Sequence, residues 1–241
     1  MLQPCSNAMT GFPRYAIYYA APRGSGLDRF GAELLGYDAW TGKDTAFPAC
    51  ITRAAEWREL TAAPRKYGFH ATLKAPFTLA HHTSEAELIA ACAAFAGRRR
   101  PLPVIRPLVD AIDGFIAVIP AHPSSELQQL AQDCVTNFDA FRAPLAENDR
   151  TRRNPDELTP RQREYLDRWG YPYVAEEFRF HMTLTGHLDA VQREPMLKML
   201  RHHFSAVRIE ALPINRITLF RQSDAARRFR IIDDWALRPK I

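Results

Sequence analysis

The stretch Tyr67-Gly68-Phe69-His70-Ala71-Thr72-Leu73-Lys74-Ala75-Pro76-Phe77 decides how this chain is read, because it has a counterpart far along the sequence. That counterpart is Phe178-Arg179-Phe180-His181-Met182-Thr183-Leu184-Thr185-Gly186-His187. Both run aromatic, His, small or apolar residue, Thr, Leu. A β-strand sends successive side chains to opposite faces. In the first stretch Phe69, Ala71 and Leu73 then share an apolar face, and His70, Thr72 and Lys74 share the other. In the second, Phe180, Met182 and Leu184 are apolar, and Arg179, His181, Thr183, Thr185 and His187 form the polar face. Each stretch is predicted to be a half-buried strand whose second face meets water or a ligand.

His and Thr two apart on a strand form a chemical unit. An imidazole exchanges a proton near neutral pH, its unperturbed pKa being about 6.5. A Thr hydroxyl donates a hydrogen bond to an anionic oxygen. Two such pairs facing each other supply a base, an acid and two oxygen-holding donors. That set suits in-line attack on a phosphodiester: one His deprotonates the attacking hydroxyl or water and the other protonates the leaving oxygen. The hydroxyls, with nearby cations, hold the non-bridging oxygens. No metal or other cofactor is required by that scheme. A single His-x-Thr is common in strands and says little; the duplication carries the reading.

Working outward, the 241 residues suffice for one large domain or two intimate lobes with a real core. With 46% hydrophobic and 24% charged residues, the composition is that of an ordinary soluble globular protein. A net charge of +5 favours anionic substrates without being basic enough to argue nucleic-acid binding by itself. The cysteines Cys5, Cys50, Cys92 and Cys134 form no C-x-x-C pair and no zinc spacing, so free thiols are expected. No apolar run approaches a membrane span, and the start lacks a basic-then-apolar signal pattern. The expectations are a cytoplasmic monomer with no membrane association, residues 1–12 being a disordered tail or cloning remnant.

Along the chain, Arg14–Ala20 reads as a strand, followed by a helix capped at Ser25 or Asp28 and stopped by Gly36. Residues 37–55 look irregular, and Ala55–Leu60 is a helical turn broken by Pro64. Thr83–Arg98 is a helix with Glu87 at capping-box distance from Ser84. Leu102–Val109 and Gly114–Ile119 form a hairpin about Asp113-Gly114. Ser124–Phe141 is a second long helix. Residues 142–158, charged and Pro-punctuated, form an insertion or mobile loop. Thr159-Pro160 starts a helix to Trp169 that Gly170 ends. Asp189–Phe204 is a helix, and Val207–Leu212, Ile214–Arg221 and Arg228–Leu237 are strands. Similar order in both halves predicts a pseudo-symmetric α+β architecture: one bilobal domain over 13–241, two antiparallel sheets around a central groove and helices outside.

At its two motifs, His70-Ala71-Thr72-Leu73 and His181-Met182-Thr183-Leu184, the sequence resembles the 2H phosphoesterase superfamily. Within it the likeness is to the branch of phosphonate-metabolism proteins, domain of unknown function 1045. Arg14–Tyr19, Arg65–Pro76, Phe141–Leu145, Trp169–Tyr173 and Glu177–Gly186 carry that likeness, over nearly all of residues 13–237. The resemblance implies a two-lobed fold with metal-independent chemistry at cyclic phosphodiesters. It also implies His70 and His181 as acid and base, Thr72 and Thr183 as phosphate ligands, and a ribose cyclic phosphate as one substrate. Which His is the base stays open.

Other residues are candidate substrate contacts. Lys74 and Arg179 share the faces of the two histidines and are candidates to neutralise a phosphate. Tyr18, Tyr67 and Tyr173 are candidates to stack on a base or bond a phosphate oxygen, against packing roles. His81-His82 and His202-His203 point different ways and make poor metal pairs. The expected partner is a small phosphate ester or nucleotide. The alternatives are an RNA end-processing or ligase-like protein, disfavoured because no aromatic ladder accompanies the basic clusters, and a non-catalytic nucleotide- or RNA-binding module. A His-metal hydrolase is weakest, since neither motif has a third ligand at spacing.

Overall fold

The computed structural model describes residues 11–240, so the expectation for the 1–12 tail, apart from Gly11 and Phe12, lies outside the described residues, as does Cys5. The first half contains β1 (Arg14–Tyr19), α1 (Gly26–Leu35), β2 (Tyr37–Asp38), β3 (Lys43–Asp44), α2 (Ala54–Leu60), α3 (Ala62–Arg65), β4 (Ala71–Thr78), α4 (Glu85–Gly97), β5 (Val104–Ile105), β6 (Pro107–Ile112) and β7 (Phe115–Pro120). The second contains α5 (Ser125–Asn137), α6 (Glu147–Thr151), α7 (Pro160–Trp169), β8 (Met182–Thr183), α8 (Ala190–Ser205), β9 (Leu212–Pro213), β10 (Arg216–Gln222) and β11 (Arg230–Ala236).

The fold is α+β and its main sheet antiparallel, in the order β11-β10-β1-β4-β8-β7-β6. Where two antiparallel sheets around a groove were expected, the strands form two halves of one sheet, β11-β10-β1-β4 and β8-β7-β6, joined edge to edge. Their seam is narrow, a single pairing of Ala71 with Met182. Period-two alternation explains which face is buried. Tyr19, Ala71, Met182, Val118 and Val109 are paired in one row across five strands, and each is at most 2% exposed. Leu27 and Leu34 of α1, Leu88 and Cys92 of α4, Leu130 and Cys134 of α5 and Leu200 of α8 complete the core on that face. A smaller cluster, with Ala16, Tyr18, Phe220 and Phe229, forms on the other.

Local signals act as their chemistry dictates. Ser84 and Glu87 form a capping box on α4, Thr159 and Gln162 another on α7. Asp113 and Gly114, both at positive φ, close the β6–β7 hairpin. Four further expectations need correction. The second His stretch is a strand for only two residues, because the Leu184 and Thr185 amides converge on the Ile116 carbonyl at 2.9 and 3.3 Å. The Thr185 hydroxyl there takes the Ile116 N–H, which ends the ladder. Val207–Leu212 is mostly not strand: Val207 N–H returns to Phe204 O and Arg208 sits at φ 54, a turn leaving α8. Pro64 lies inside α3, in the first turn where its missing N–H is harmless. Residues 142–158 hold the short helix α6 instead of being wholly loop.

Candidate active site

His70 is placed by the residues just before it. Tyr67 and Gly68 turn off α3, both amides bonding the Pro64 carbonyl. Gly68 takes φ +79, and a Cβ there would meet the Ala39 Cβ at 2.8 Å. Phe69 drops into the core against α1, where Gly31 leaves the space; a Cβ on Gly31 would stand 1.9 Å from the Phe69 ring. With Phe69 anchored inward, His70 projects from the other face. It stacks on Tyr18, ring centroids 3.8 Å apart, with Phe220 and Tyr67 at 5.9 and 6.1 Å.

The seam then brings the motifs together. Pairing Ala71 with Met182 in antiparallel register sets His70 level with Thr183 and Thr72 level with His181. All four point away from the apolar row. The histidines are diagonal neighbours, a relation that spans roughly 7–8 Å on an antiparallel ladder. Both rings are fixed alike: His70 Nδ1 lies 2.8 Å from the Gly68 carbonyl and His181 Nδ1 2.7 Å from the Arg179 carbonyl. Each carbonyl accepts, so each Nδ1 carries the proton and each neutral Nε2 offers a lone pair. The Thr72 hydroxyl lies 3.4 Å from His70 Nε2.

Burial pushes the His70 imidazole down to about 4; His181 adds to that and the Gly68 carbonyl opposes it. Burial also lowers His181, against the Arg179 carbonyl and the Asp113 charge. A cavity of about 430 Å³ opens beside the seam, lined by Thr72 and His181, by Phe115 and Asp113 of the hairpin, and by Tyr173 and Arg179. His70 and Thr183 are half-buried and do not line it.

The remaining candidates divide. Tyr173 is exposed at the cavity wall, and Arg179 lies there with Asp113 at 3.7 Å. Tyr67 is half-buried and lines a neighbouring cavity. Tyr18 is 1% exposed and stacks on His70. Lys74 is a correction: it is 3% exposed, donates to the Val135 carbonyl at 3.0 Å and pairs with Asp139 at 3.1 Å. Register shifts between β1 and β4 take it off the simple alternation that put it beside His70. Sequence reasoning missed the two carbonyls and Asp113. Carbonyls leave no mark in residue type, and Asp113 had signalled only a turn. Among the described residues, no group of three or more His, Cys, Asp or Glu is arranged to hold a metal. Cys50, Cys92 and Cys134 are free thiols.

Sheet, seam and rings together define a class: an α+β protein whose duplicated His-x-Thr pairs lie side by side on one face of an antiparallel sheet. The chain belongs to the family described as protein of unknown function (DUF1045), whose model matches residues 72–230. It is 36% identical over 233 residues to a protein of Janthinobacterium sp. (strain Marseille) named ribose 1,5-bisphosphate phosphokinase PhnN, covering 90% of this chain and 48% of that one. A protein of the same name from Laribacter hongkongensis (strain HLHK9) is 36% identical over 219 residues, covering 90% and 50%. The chain thus spans about half the length of these curated relatives. Among solved structures, E. coli LigT complexed with 3'-AMP aligns at 16% identity and TM-score 0.43, covering 94% of this chain and 98% of that one. A structure described as a phosphoesterase aligns at 17% and 0.41, covering 94% and 99%.

Proposed function

We propose that this chain is a phosphoesterase of the 2H type that hydrolyses a cyclic phosphodiester. The observation supporting this most is the interlocked register, which sets both His-x-Thr pairs on one sheet face with matching Nδ1–carbonyl bonds. The neutral Nε2 of His70, the ring harder to protonate, takes a proton from water as its oxygen bonds to phosphorus. His181 acts in its cationic form, which burial disfavours and the Arg179 carbonyl and Asp113 favour; having taken up a proton at Nε2, it gives that proton to the departing ester oxygen. Thr72 and Thr183 donate to the non-bridging oxygens. The proposed steps use only these side chains and water.

The relatives' kinase name is not carried over. The chain contains no G-x-x-x-x-G-K-[ST] phosphate loop, and it matches only half of those proteins. Their named substrate, a ribose phosphate, is compatible with a cyclic ribose phosphate here. The reading is tested with a panel of cyclic phosphates in EDTA. Turnover is expected, with a fall of at least about a hundredfold in kcat for either His70→Ala or His181→Ala. Undiminished turnover in either variant would reject the two-histidine mechanism.

A further inference from the structure

Tyr67, whose ring lies 6.1 Å from the His70 ring, also lines a second cavity of about 210 Å³. Its charged lining is Arg14, Lys66, Arg142, Arg152 and Arg153, against the single carboxylate Asp149. Two of these cations are already paired, Arg142 with Asp139 and Arg152 with Asp149. Arg14 instead bonds the neutral Gln222 amide at 2.6 and 3.1 Å. Arg153 lies 5.0 Å over the Tyr171 ring. Neither has its charge met by a carboxylate among the described residues. Tyr171, beneath the Arg153 guanidinium, lines the cavity at His181, so Arg153 touches a wall residue of the first cavity while lining the second. Gathering like charges in a half-buried hollow is unfavourable, and Arg14 registers it: burial first, then Arg152 and Arg153, lower its pKa. A dianion placed there would relieve that repulsion and accept several charge-assisted hydrogen bonds.

We propose that this cavity binds a second, terminal phosphate monoester on the substrate of the histidine site. The preferred substrate is then a small sugar or nucleoside cyclic phosphate bearing another phosphate about one ring away. This inference rests on the phosphoesterase reading above. Arg14, Lys66 and Arg153 are its specificity-determining residues.

The test compares adenosine 2′,3′-cyclic phosphate with the same compound phosphorylated at its 5′ oxygen. The parent protein is expected to favour the doubly phosphorylated substrate by at least about tenfold in kcat/KM, the effect of one charge-assisted bond. In Lys66→Gln and Arg153→Gln that preference collapses toward parity through KM, and Arg153→Lys recovers part of it. No preference in the parent, or an equal loss on both substrates in the variants, overturns the proposal. If neither compound is turned over, calorimetry with ribose 5-phosphate decides. Binding that survives in His181→Ala but disappears in Lys66→Gln and Arg153→Gln upholds the anion site while the hydrolytic reading fails. Absence of binding to the parent overturns the anion site. Circular dichroism and melting curves confirm that each variant is folded.

Discussion

A histidine ring pressed on a tyrosine face, as His70 is on Tyr18, gives up its hydration and with it most of its affinity for a proton. The consequence is a signed pH dependence. The folded pKa, about 4, lies below the ordinary value of 6.5, so the unfolded chain binds the proton more readily between them. The stabilisation is complete above about pH 6.5 and is lost as pH falls through 4, at most about 3 kcal/mol. Urea unfolding at stepped pH is expected to show a shallower acid loss in His70→Gln than in the parent; parallel curves would refute it. Burial lowers the pKa of His181 and Asp113 partly opposes it, so Asp113→Asn is expected to move the alkaline limb of the kcat/KM profile to still lower pH. Because the two rings are close, the limbs belong to the pair. Gly68 works through its backbone: at φ +79 its carbonyl receives His70 Nδ1–H. Gly68→Ala should cost about 1–3 kcal/mol in denaturant titration and lower kcat more than it raises KM.

At the scale of elements, α1 and the segment before β4 are one unit. Gly31 is the socket and Phe69 the plug, and the fit turns His70 toward the opposite face. Gly31→Ala is expected to destabilise by about 1–3 kcal/mol through overpacking. Adding Phe69→Leu should make the double variant less unstable than the sum of the two single changes. Simple additivity would show that the ring and the helix do not compete for one space. The element reading from sequence succeeded where the signal was local. Ser84 with Glu87, Thr159 with Gln162, and Asp113-Gly114 each specify their own cap or turn. It failed at β8 and at 207–212, where the course of the chain depends on the distant Ile116 carbonyl or on how α8 unwinds.

For the whole molecule, the sheet halves meet through one residue pair, and other ties must hold them in register. A different joint is held by Lys74, which is buried on β4 and fastens the end of α5 to the sheet through Val135 and Asp139, the latter shared with Arg142. Removing one partner leaves a charge without its counter-ion in the interior. Asp139→Asn is expected to cost about 3–5 kcal/mol in urea unfolding, while Lys74→Met with Asp139→Asn recovers much of that loss. A near-neutral single variant would show the pair to be dispensable. No helix among the described residues is long and apolar enough to cross a membrane.

Residue order alone was enough to mark both His-x-Thr pairs, their strand-like faces, the helix caps, the hairpin turn and the α+β class. Each depends on neighbours within a few positions, where side-chain periodicity and backbone preference act directly. Tertiary structure alone decided that the pairs interlock diagonally, that Tyr18 stacks on a histidine, and that Lys74 is consumed by Asp139. It also decided that the basic residues of four separate segments gather around one cavity. Those outcomes are set by strand register and by packing between residues far apart in the chain, and register is written in contacts that no single segment contains.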